Sequence, residues 1–583
     1  MRSQRTFQSR AGLSNWSSMG RLGARFRRRC PRFGCSSRLG GLPCSGGGRQ
    51  SAREIGCDCL ARVHETENQK TSMPTPDLER PISRRHAVAL LGATTLLPLR
   101  TPLAAASAGT EAAEPLHYLG LEAMARRIAS REISPVVLTQ QMLARIARVD
   151  PVLKSYATLM ADQAIADARA AEQEIRAGRY RGPLHGMPIG VKDLCYTKGV
   201  RTMGGTKVLQ DFIPAFDATV VTKLRAAGAV ILGKLNLSEG ATAGYNPARD
   251  VPLNPWNHDR WPGMSSSGSG VATAAGLCFA SIGTDTGGSI RNPSSANGVV
   301  GLKPTYGRVS RYGVLVMSQS LDHVGSIARQ VGDAAILFDA IAGQDRNDST
   351  SLDAPPANAF AGLNQGIRGL RIGIDRNYAL SGIDAGQAKA IEAALDVTAS
   401  LGAQIVDVRM PDLANMLDTW MTICAKEIAE AHAKNYPSRA NEYGPYMREF
   451  LAHGTRVTPQ QLAAARAKRA AFAAQFTKLL DSVDAMAGPA GGDPAWPITH
   501  EIQVGPLPAY HEAWSKAAPR SAEFTMPMDL AGVPAICLPC GFSPDGLPYS
   551  IQFTGRRLSE ATLCRVAHAY EQATPWHTRH PAV

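Results

Sequence analysis

Residues 261–291, WPGMSSSGSGVATAAGLCFASIGTDTGGSIR, are the part of the chain that decides its fold and its chemistry. Three serines, Ser265–Ser267, open a run of glycine and other small residues, and Ser289 closes a pair of glycines. Between them, Phe279–Gly283 is apolar enough for a buried strand. The pattern predicts a tightly packed helix of small residues, then a strand that leads into a glycine-rich loop.

The glycine-rich loop before Ser289 is a candidate oxyanion hole. Gly287 and Gly288 allow backbone conformations that other residues avoid, so several amide groups can point to one position. The candidate donors are the backbone N–H groups of Thr286, Gly287, Gly288 and Ser289. Such donors stabilise the negative charge that develops on a carbonyl oxygen during acyl transfer. Ser289 is therefore the candidate nucleophile.

A second string, Gly186–Asp193 (GMPIGVKD), places Lys192 at the end of a short apolar strand that begins at Ile189. A lysine kept in a dry site has a lowered pKa and can act as a neutral base. A serine hydroxyl is too weak a nucleophile without such a base. Lys192 is therefore the candidate base, and the upstream serine run supplies a candidate relay between base and nucleophile.

Other catalytic and binding motifs are missing from the sequence. It contains no Gly-x-Ser-x-Gly and no Ser-x-x-Lys, which argues against the α/β-hydrolase and β-lactamase arrangements. No Gly-Lys-Ser/Thr follows the serine run, so a phosphate-binding loop is disfavoured. Cys537 and Cys540 form a C-x-x-C in an apolar strand, where positions three apart face opposite sides, so we expect buried free thiols. We expect no metal and no cofactor.

Strands and helices alternate along the body of the chain. Ser134-Pro135 begins a helix predicted to end near Val149, before Asp150-Pro151. A second helix covers Met160–Arg176, and Ala229–Leu232 is a short apolar strand. This alternation predicts an α/β layered fold with a mixed or mostly parallel sheet.

Residues 345–523 differ from the rest of the body. They contain a strand, Leu370–Ile374, and long Ala-rich helices such as Pro459–Leu480. We interpret them as a variable helical insertion that packs on the sheet and forms part of the substrate pocket, within a single domain of residues 109–583. Core packing explains the aromatic residues of this segment as well as an apolar or aryl acyl pocket does; they are Trp420, Tyr443, Tyr446, Trp496, Tyr510 and Trp514.

Most of the positive charge lies before the body. The net charge is +14, yet residues 1–72 hold 14 Lys and Arg residues against four Asp and Glu residues. The body is therefore close to neutral, and we expect no nucleic-acid partner. Residues 1–72 show no hydrophobic periodicity and are predicted to be a disordered basic tail. The alternative is that translation starts at Met73 and the tail is a mis-assigned start.

Residues 73–108 have the features of a twin-arginine signal peptide. Ser83-Arg84-Arg85 precedes an apolar run, Ala87–Leu99, which is too short to span a bilayer, and small residues follow it. The alternative is an ordinary buried helix after a basic loop. A working signal predicts a periplasmic or secreted protein without stable membrane insertion, and a non-functional one predicts a cytoplasmic protein.

The motifs together resemble those of the amidase signature family. GMPIGVKD, PGMSSSGSG and GTDTGGSIR are joined by GLKPTYGRVSRYG at Gly301–Gly313, and the resemblance covers nearly all of residues 115–575 outside 345–523. It implies a three-layer α/β/α fold with a central mixed, mostly parallel β-sheet covered by helices. It also implies an enzyme that converts a small-molecule amide to an acid plus ammonia or an amine.

The resemblance also assigns roles to the candidate residues. It implies that Ser289 attacks the carbonyl, that Ser265, preceded by a cis peptide, passes the proton to Lys192, and that water hydrolyses the acyl-enzyme. It implies supporting roles for three further residues: Ser266, Asp285 and Arg291.

This chain departs from the family pattern at three positions. Met264 and Ser267 stand where glycine is usual, and Asn297 replaces a common cysteine. Because the three catalytic residues are retained, we expect activity, with altered access beside Met264.

Three hypotheses for function follow. The first is an exported carboxylic-amide hydrolase. The second is a transamidase similar to the transamidase component of the glutamyl-tRNA amidotransferase, which export argues against. The third is a binding protein with a decayed site, which the intact Lys192, Ser265 and Ser289 argue against. A homodimer is one assembly that the sequence leaves open.

Overall fold

The computed structural model describes residues 115–583, which fall within one compact unit. The predictions for residues 1–72 and 73–108 lie outside the described residues. In the described part, the strands are β1 (Tyr156–Leu159), β2 (Pro188–Lys192), β3 (Val230–Leu235), β4 (Ala280–Asp285), β5 (Val300–Lys303), β6 (His323–Ala328), β7 (Arg371–Ile374), β8 (Gln404–Asp407), β9 (Ala485–Pro489), β10 (Ala535–Phe542) and β11 (Pro548–Thr554). They form one sheet in the order β1-β3-β2-β4-β6-β5-β10-β11-β9-β7-β8.

Helices cover this sheet and complete the predicted three-layer α/β/α architecture. They are α1 (Leu121–Ala129), α2 (Pro135–Leu153), α3 (Ala161–Arg176), α4 (Thr219–Ala226), α5 (Ser267–Ala274), α6 (Arg291–Asn297), α7 (Val331–Ile341), α8 (Arg376–Leu380), α9 (Ala385–Ser400), α10 (Met416–Ala431), α11 (Pro445–Arg456), α12 (Pro459–Leu480), α13 (His500–Val504), α14 (Leu507–Ala517), α15 (Ser521–Ala531) and α16 (Glu560–Gln572). No helix within residues 115–583 is long and apolar enough to cross a membrane.

The sheet is mixed, as predicted, but it is not mostly parallel. β2 is parallel to β3 and β4, and β7 is parallel to β8 and β9. The other six neighbouring pairs are antiparallel. The short turn between β10 and β11 forces those two strands to run antiparallel. Alternation of strands and helices along a sequence indicates the layers but not the order of the strands, which explains the wrong expectation.

The helix at Ser134 illustrates what local sequence decides. The Ser134 side chain accepts hydrogen bonds from the backbone N–H groups of Val136 and Val137, at 3.1 and 3.3 Å, so it caps α2 as predicted. The predicted end was wrong, because α2 continues through Pro151 to Leu153. Its last turn is held by packing, since Leu153 is buried in the core.

Residues 345–523 extend the sheet as well as covering it. They supply β7 and β8 at one edge of the sheet and β9 beside them. Their longest helix, α12, has the predicted bounds, and Thr458 and Gln461 form a capping box at its start. The segment therefore brings both strands and helices to the body of the protein.

The parallel centre of the sheet positions the candidate site. All residues of β2 and β4 are buried, as expected for strands covered on both faces. Parallel pairing with Val191 opposite Ile282 brings the carboxyl ends of the two strands together.

The C-x-x-C cysteines lie on β10, and both are buried free thiols, as predicted.

Candidate active site

Lys192 is the last residue of β2, and its side chain is fully buried. Its Nζ atom lies 2.8 Å from Ser265 Oγ, 2.9 Å from Ser266 Oγ and 2.7 Å from Thr284 Oγ1. These three hydroxyls match the three protons of an ammonium group. They also match a neutral amine that donates to two hydroxyls and accepts from the third. The site can therefore hold the lysine in either protonation state.

The electrostatics of the site favour the neutral lysine. Burial lowers the pKa of Lys192 to about 7, because desolvation disfavours the charged ammonium. The negative charges of Asp285 and Asp322 oppose this effect only in part. A base with a pKa near neutrality can take a proton and later return it at ordinary pH.

Ser265 and Ser266 have different surroundings although they are neighbours. The Ser266 hydroxyl donates to the Thr284 carbonyl at 3.1 Å and accepts from the Thr284 N–H at 3.2 Å. It is therefore tied to β4 and helps to hold Lys192. The hydroxyl of Ser265 hydrogen-bonds to Lys192, and Ser265 lines a cavity. The peptide bond between Met264 and Ser265 is cis.

Ser289 lines the same cavity as Ser265 and is partly exposed. The structure thus brings together the predicted nucleophile, relay and base, which are 97 residues apart at the extremes of the sequence. A ligand that enters the cavity can contact both serine hydroxyls, while Lys192 stays buried behind Ser265.

The carbonyl groups of the glycine-rich loop are each held by a specific donor. Side chains donate to three of them: His323 Nδ1 to Asp285 at 3.1 Å, Trp420 Nε1 to Thr286 at 2.7 Å, and Thr525 Oγ1 to Gly287 at 2.7 Å. Backbone amides of Asn292 and Ser266 donate to the carbonyls of Gly288 and Ser289. Because each peptide unit is planar, the loop amides have fixed directions as well.

The loop leaves three candidate amides for an oxyanion. Within residues 115–583, the N–H groups of Thr286, Gly287 and Ser289 have no hydrogen-bond acceptor. The N–H of Gly288 was also predicted as a donor, but it donates to Asp285 Oδ1 at 2.5 Å. The predicted set of four is therefore reduced to three, because a carboxylate inside the loop occupies the fourth.

Asp285 is fixed by Arg291. The guanidinium donates to the Asp285 carboxylate through Nε and Nη2, both at 3.0 Å, and to Asp529 Oδ2 at 2.6 Å. Burial alone would raise the pKa of Asp285, but the charge and hydrogen bonds of Arg291 hold it well below its usual range. Lys303 and His323 complete this buried cluster beside Asp529. The cluster anchors both ends of the loop.

The cavity at the two serines is mostly apolar. Its empty space, counted together with the solvent at its open mouth, is about 650 Å³. In the described residues, no Asp, Glu, Lys or Arg side chain lines it. Aromatic and methionine side chains form much of its wall: Trp261, Met264, Met317, Trp420, Met421, Tyr446, Tyr510, Trp514 and Met526.

The aromatic residues named from the sequence divide into two groups. Trp420, Tyr446, Tyr510 and Trp514 line the cavity. Trp496 instead stacks on Trp261, with ring centroids 3.9 Å apart, and the ring of Tyr443 packs against His432. Residues 345–523 thus contribute part of the cavity wall.

The three departures from the expected pattern are accommodated locally. Met264 is buried and forms part of the cavity wall beside Ser265. Ser267 is the first residue of α5. The Asn297 side chain donates to the carbonyls of Pro262 and Pro293, both at 2.7 Å, and so ties the serine run to α6.

Sequence reasoning missed Thr284, Thr525 and Asp529. Thr284 belongs to the GTDTGGS string, but only the register of β4 against β2 shows that its hydroxyl meets Lys192. Thr525 and Asp529 lie on α15, more than 230 residues beyond the loop, and no local motif marks them.

Within residues 115–583, no group of His, Cys, Asp and Glu residues could hold a metal ion.

The fold and the comparisons with known proteins define an amide-hydrolysing enzyme. The chain belongs to the Amidase family, whose model matches residues 137–564. AmiD of Mycobacterium tuberculosis (strain ATCC 25618 / H37Rv), which its name describes as an amidase, is 44% identical over 465 residues, or 80% of this chain and 96% of AmiD. A glutamyl-tRNA(Gln) amidotransferase component from Chloroflexus aggregans is 40% identical over 491 residues, which is 80% of this chain and 98% of that relative.

Solved structures agree with this assignment. The native peptide amidase from Stenotrophomonas maltophilia superimposes with a TM-score of 0.68 at 33% identity, over 78% of this chain and 96% of the amidase. The family and the three-layer α/β/α fold expected from the motifs are therefore confirmed.

Proposed function

We propose that this enzyme hydrolyses a carboxylic amide through an acyl-enzyme on Ser289, with Ser265 as the relay and Lys192 as the base. The observation that carries the proposal is the contact of 2.8 Å between Lys192 Nζ and Ser265 Oγ, at a cavity that Ser289 also lines. Neutral Lys192 accepts the proton of Ser265 as Ser265 accepts that of Ser289. The oxygen of Ser289 then forms a bond to the amide carbonyl carbon.

The charge that develops on the carbonyl oxygen meets the free amides of the loop. Thr286, Gly287 and Ser289 supply these donors, and their directions are set before substrate binds. The C–N bond breaks as the proton returns from Lys192 through Ser265 to the leaving nitrogen. Water, activated by the same base, then attacks the acyl-enzyme and releases the acid and free Ser289.

The cavity indicates the kind of acyl group. Burying the apolar surface of a ligand against its aromatic and methionine side chains is favourable, and methionine adapts to irregular shapes. We therefore propose amides with an aryl or alkyl acyl group as substrates. Ammonia or an amine is the second product.

The transamidase alternative fits the cavity less well. Glutamine carries both an ammonium and a carboxylate, and burying such charges without partners is costly. The described cavity offers no charged side chain to pair with either group. Release of ammonia from glutamine at a rate comparable to that from a simple aryl amide would overturn this choice.

A panel of amides tests the proposal directly. We expect the protein that starts at Gly109 to hydrolyse aryl and alkyl primary amides and to be labelled at Ser289 by a fluorophosphonate probe, with the label located by mass spectrometry. Ser289→Ala should abolish turnover and labelling. Ser521→Ala is the matched control, since Ser521 lines the same cavity. Full turnover in Ser289→Ala, or a label on another serine, would refute the assignment.

We also propose that residues 73–108 direct the enzyme through the twin-arginine route to the periplasm or the medium. The support is the order of Arg84 and Arg85, a short apolar run and small residues. Replacing both arginines with lysine should leave precursor in the cytoplasm, and unchanged secretion would exclude the route.

Light scattering of the mature protein would test whether it forms a homodimer.

A further inference from the structure

Trp420 joins the cavity wall to the glycine-rich loop. It lies on α10 in the segment of residues 345–523, and its side chain is almost fully buried. Its Nε1–H donates to the Thr286 carbonyl at 2.7 Å. The same residue lines the cavity with Ser265 and Ser289. One side chain of the insertion therefore contacts both the loop and the space that a ligand would occupy.

The hydrogen bond fixes one amide of the loop. The carbonyl of Thr286 and the N–H of Gly287 belong to the same planar, trans peptide unit and point in opposite directions. With the carbonyl held by Trp420, that N–H cannot rotate without breaking the bond. Within residues 115–583 it has no acceptor, and Gly287 lines the cavity. It is therefore available to a ligand.

The indole also packs directly on the loop. A Cβ atom at residue 287 would lie 2.9 Å from Nε1 and from Cε2 of Trp420, closer than real Cβ contacts. Gly287 is thus required by the close approach of the ring. The neighbouring peptides are held by other donors, His323 and Thr525, so among residues 115–583 Trp420 is the donor that holds the peptide joining Thr286 to Gly287.

We propose that Trp420 is a positioning residue that holds the Gly287 N–H in the direction needed to donate to the oxyanion of the transition state. Through the same side chain, the acyl group in the cavity influences how firmly this N–H is held. This inference rests on the proposed function. An acyl group that packs against the indole holds the ring on the loop, so its binding energy is used to fix the oxyanion donor. Such energy raises kcat instead of only lowering KM.

The coupling has a measurable consequence in the wild-type enzyme. Along a series of primary amides from acetamide to benzamide and phenylpropionamide, kcat rises as the acyl group fills the cavity beside Trp420. A cavity wall that merely binds the acyl group would lower KM along the series and leave kcat constant.

The test removes the N–H donor of Trp420 and keeps the shape of its side chain. Benzothienylalanine has sulfur in place of the indole N–H, and it is introduced at position 420 by genetic code expansion. We expect kcat for the larger amides to fall by about 10- to 100-fold, less than the loss from removing an oxyanion donor itself. KM should change by less than about twofold, and the dependence of kcat on acyl size should be lost. Trp420→Phe, which also lacks the donor, should behave alike.

Trp256 provides the matched control. Its Nε1–H donates to the Asn297 carbonyl at 2.8 Å, and it does not line the cavity that Ser265 and Ser289 share. Benzothienylalanine at position 256 should leave kcat unchanged. An unchanged kcat at position 420, or an equal loss at position 256, would overturn the role of Trp420. Failure of the wild type to hydrolyse any amide of the series would instead refute the proposed function, so the two failures are distinguishable.

Discussion

Lys192 and Thr284 face each other across two parallel strands, with Lys192 Nζ 2.7 Å from Thr284 Oγ1. Lys192 ends β2, and Thr284 lies one residue before the end of β4. The hydroxyl of Thr284 accepts a hydrogen bond from the lysine in either protonation state. Thr284 and Ser266 thus occupy two of the three hydrogen-bonding positions of Lys192 Nζ, and the third position faces Ser265. The register of β2 against β4 therefore orients the Lys192 amine toward the Ser265 hydroxyl.

The wild-type enzyme should lose activity below neutral pH. Because burial lowers the pKa of Lys192 to about 7, the neutral base dominates above that pH and the ammonium below it. We expect kcat/KM for an uncharged amide to rise with pH and to level off above an apparent pKa near 7. A profile that is flat from pH 5 to 9 would contradict a lysine base.

Thr284→Val should move that profile. A hydrogen bond to the ammonium favours the charged form, so its loss lowers the pKa of Lys192 further. The acid limb of kcat/KM should therefore shift to lower pH, while the plateau falls because the base is less well oriented. A shift to higher pH would mean that Thr284 holds the neutral amine more tightly than the ammonium.

Ser265→Ala and Ser266→Ala should differ strongly although the residues are adjacent. The first removes the relay, and we expect kcat to fall by about 10²- to 10⁴-fold, the usual contribution of positioned proton transfer. The second removes a hydroxyl that anchors Lys192 to β4, so its effect should be at least tenfold smaller. Equal losses in steady-state assays would indicate that both serines carry protons.

Gly288→Ala should inactivate the enzyme by distorting the loop. Gly288 has φ +126°, which residues with a side chain rarely adopt. A Cβ atom there would lie 2.5 Å from Asn292 Nδ2 and 2.6 Å from Thr525 Oγ1. We expect kcat to fall by at least about 10²-fold, and the strained backbone should also lower the thermal stability. Gly178→Ala, with open space around it, is the control.

Arg291→Met should destabilise the fold as well as the site. It leaves Asp285 and Asp529 buried without their main counter-charge, which typically costs about 3–5 kcal/mol. Urea denaturation followed by fluorescence should show this loss in the free energy of unfolding. Arg376→Met, which breaks an exposed ion pair with Asp407, should change it by less than about 1 kcal/mol. Similar effects of the two substitutions would refute the role of the buried cluster.

Local sequence predicted the helices well where a cap or a strong apolar pattern marks them. The start of α2 and both ends of α12 follow the expectations. The end of α2 did not, because Pro151 is tolerated where Leu153 packs into the core. The direction of most strands was also missed, since pairing partners such as β5 and β10 are separated by more than 230 residues.

The sequence by itself determined the family, the serines and lysine of the site, and the small residues that let a helix and a loop approach closely. These features are local, because each depends on a few neighbouring residues. Only the tertiary structure decided which hydroxyls meet Lys192, which loop amides stay free, and that Trp420, Thr525 and Asp529 hold the loop. Those contacts join residues far apart in the chain, and strand register and helix packing bring them within hydrogen-bonding distance.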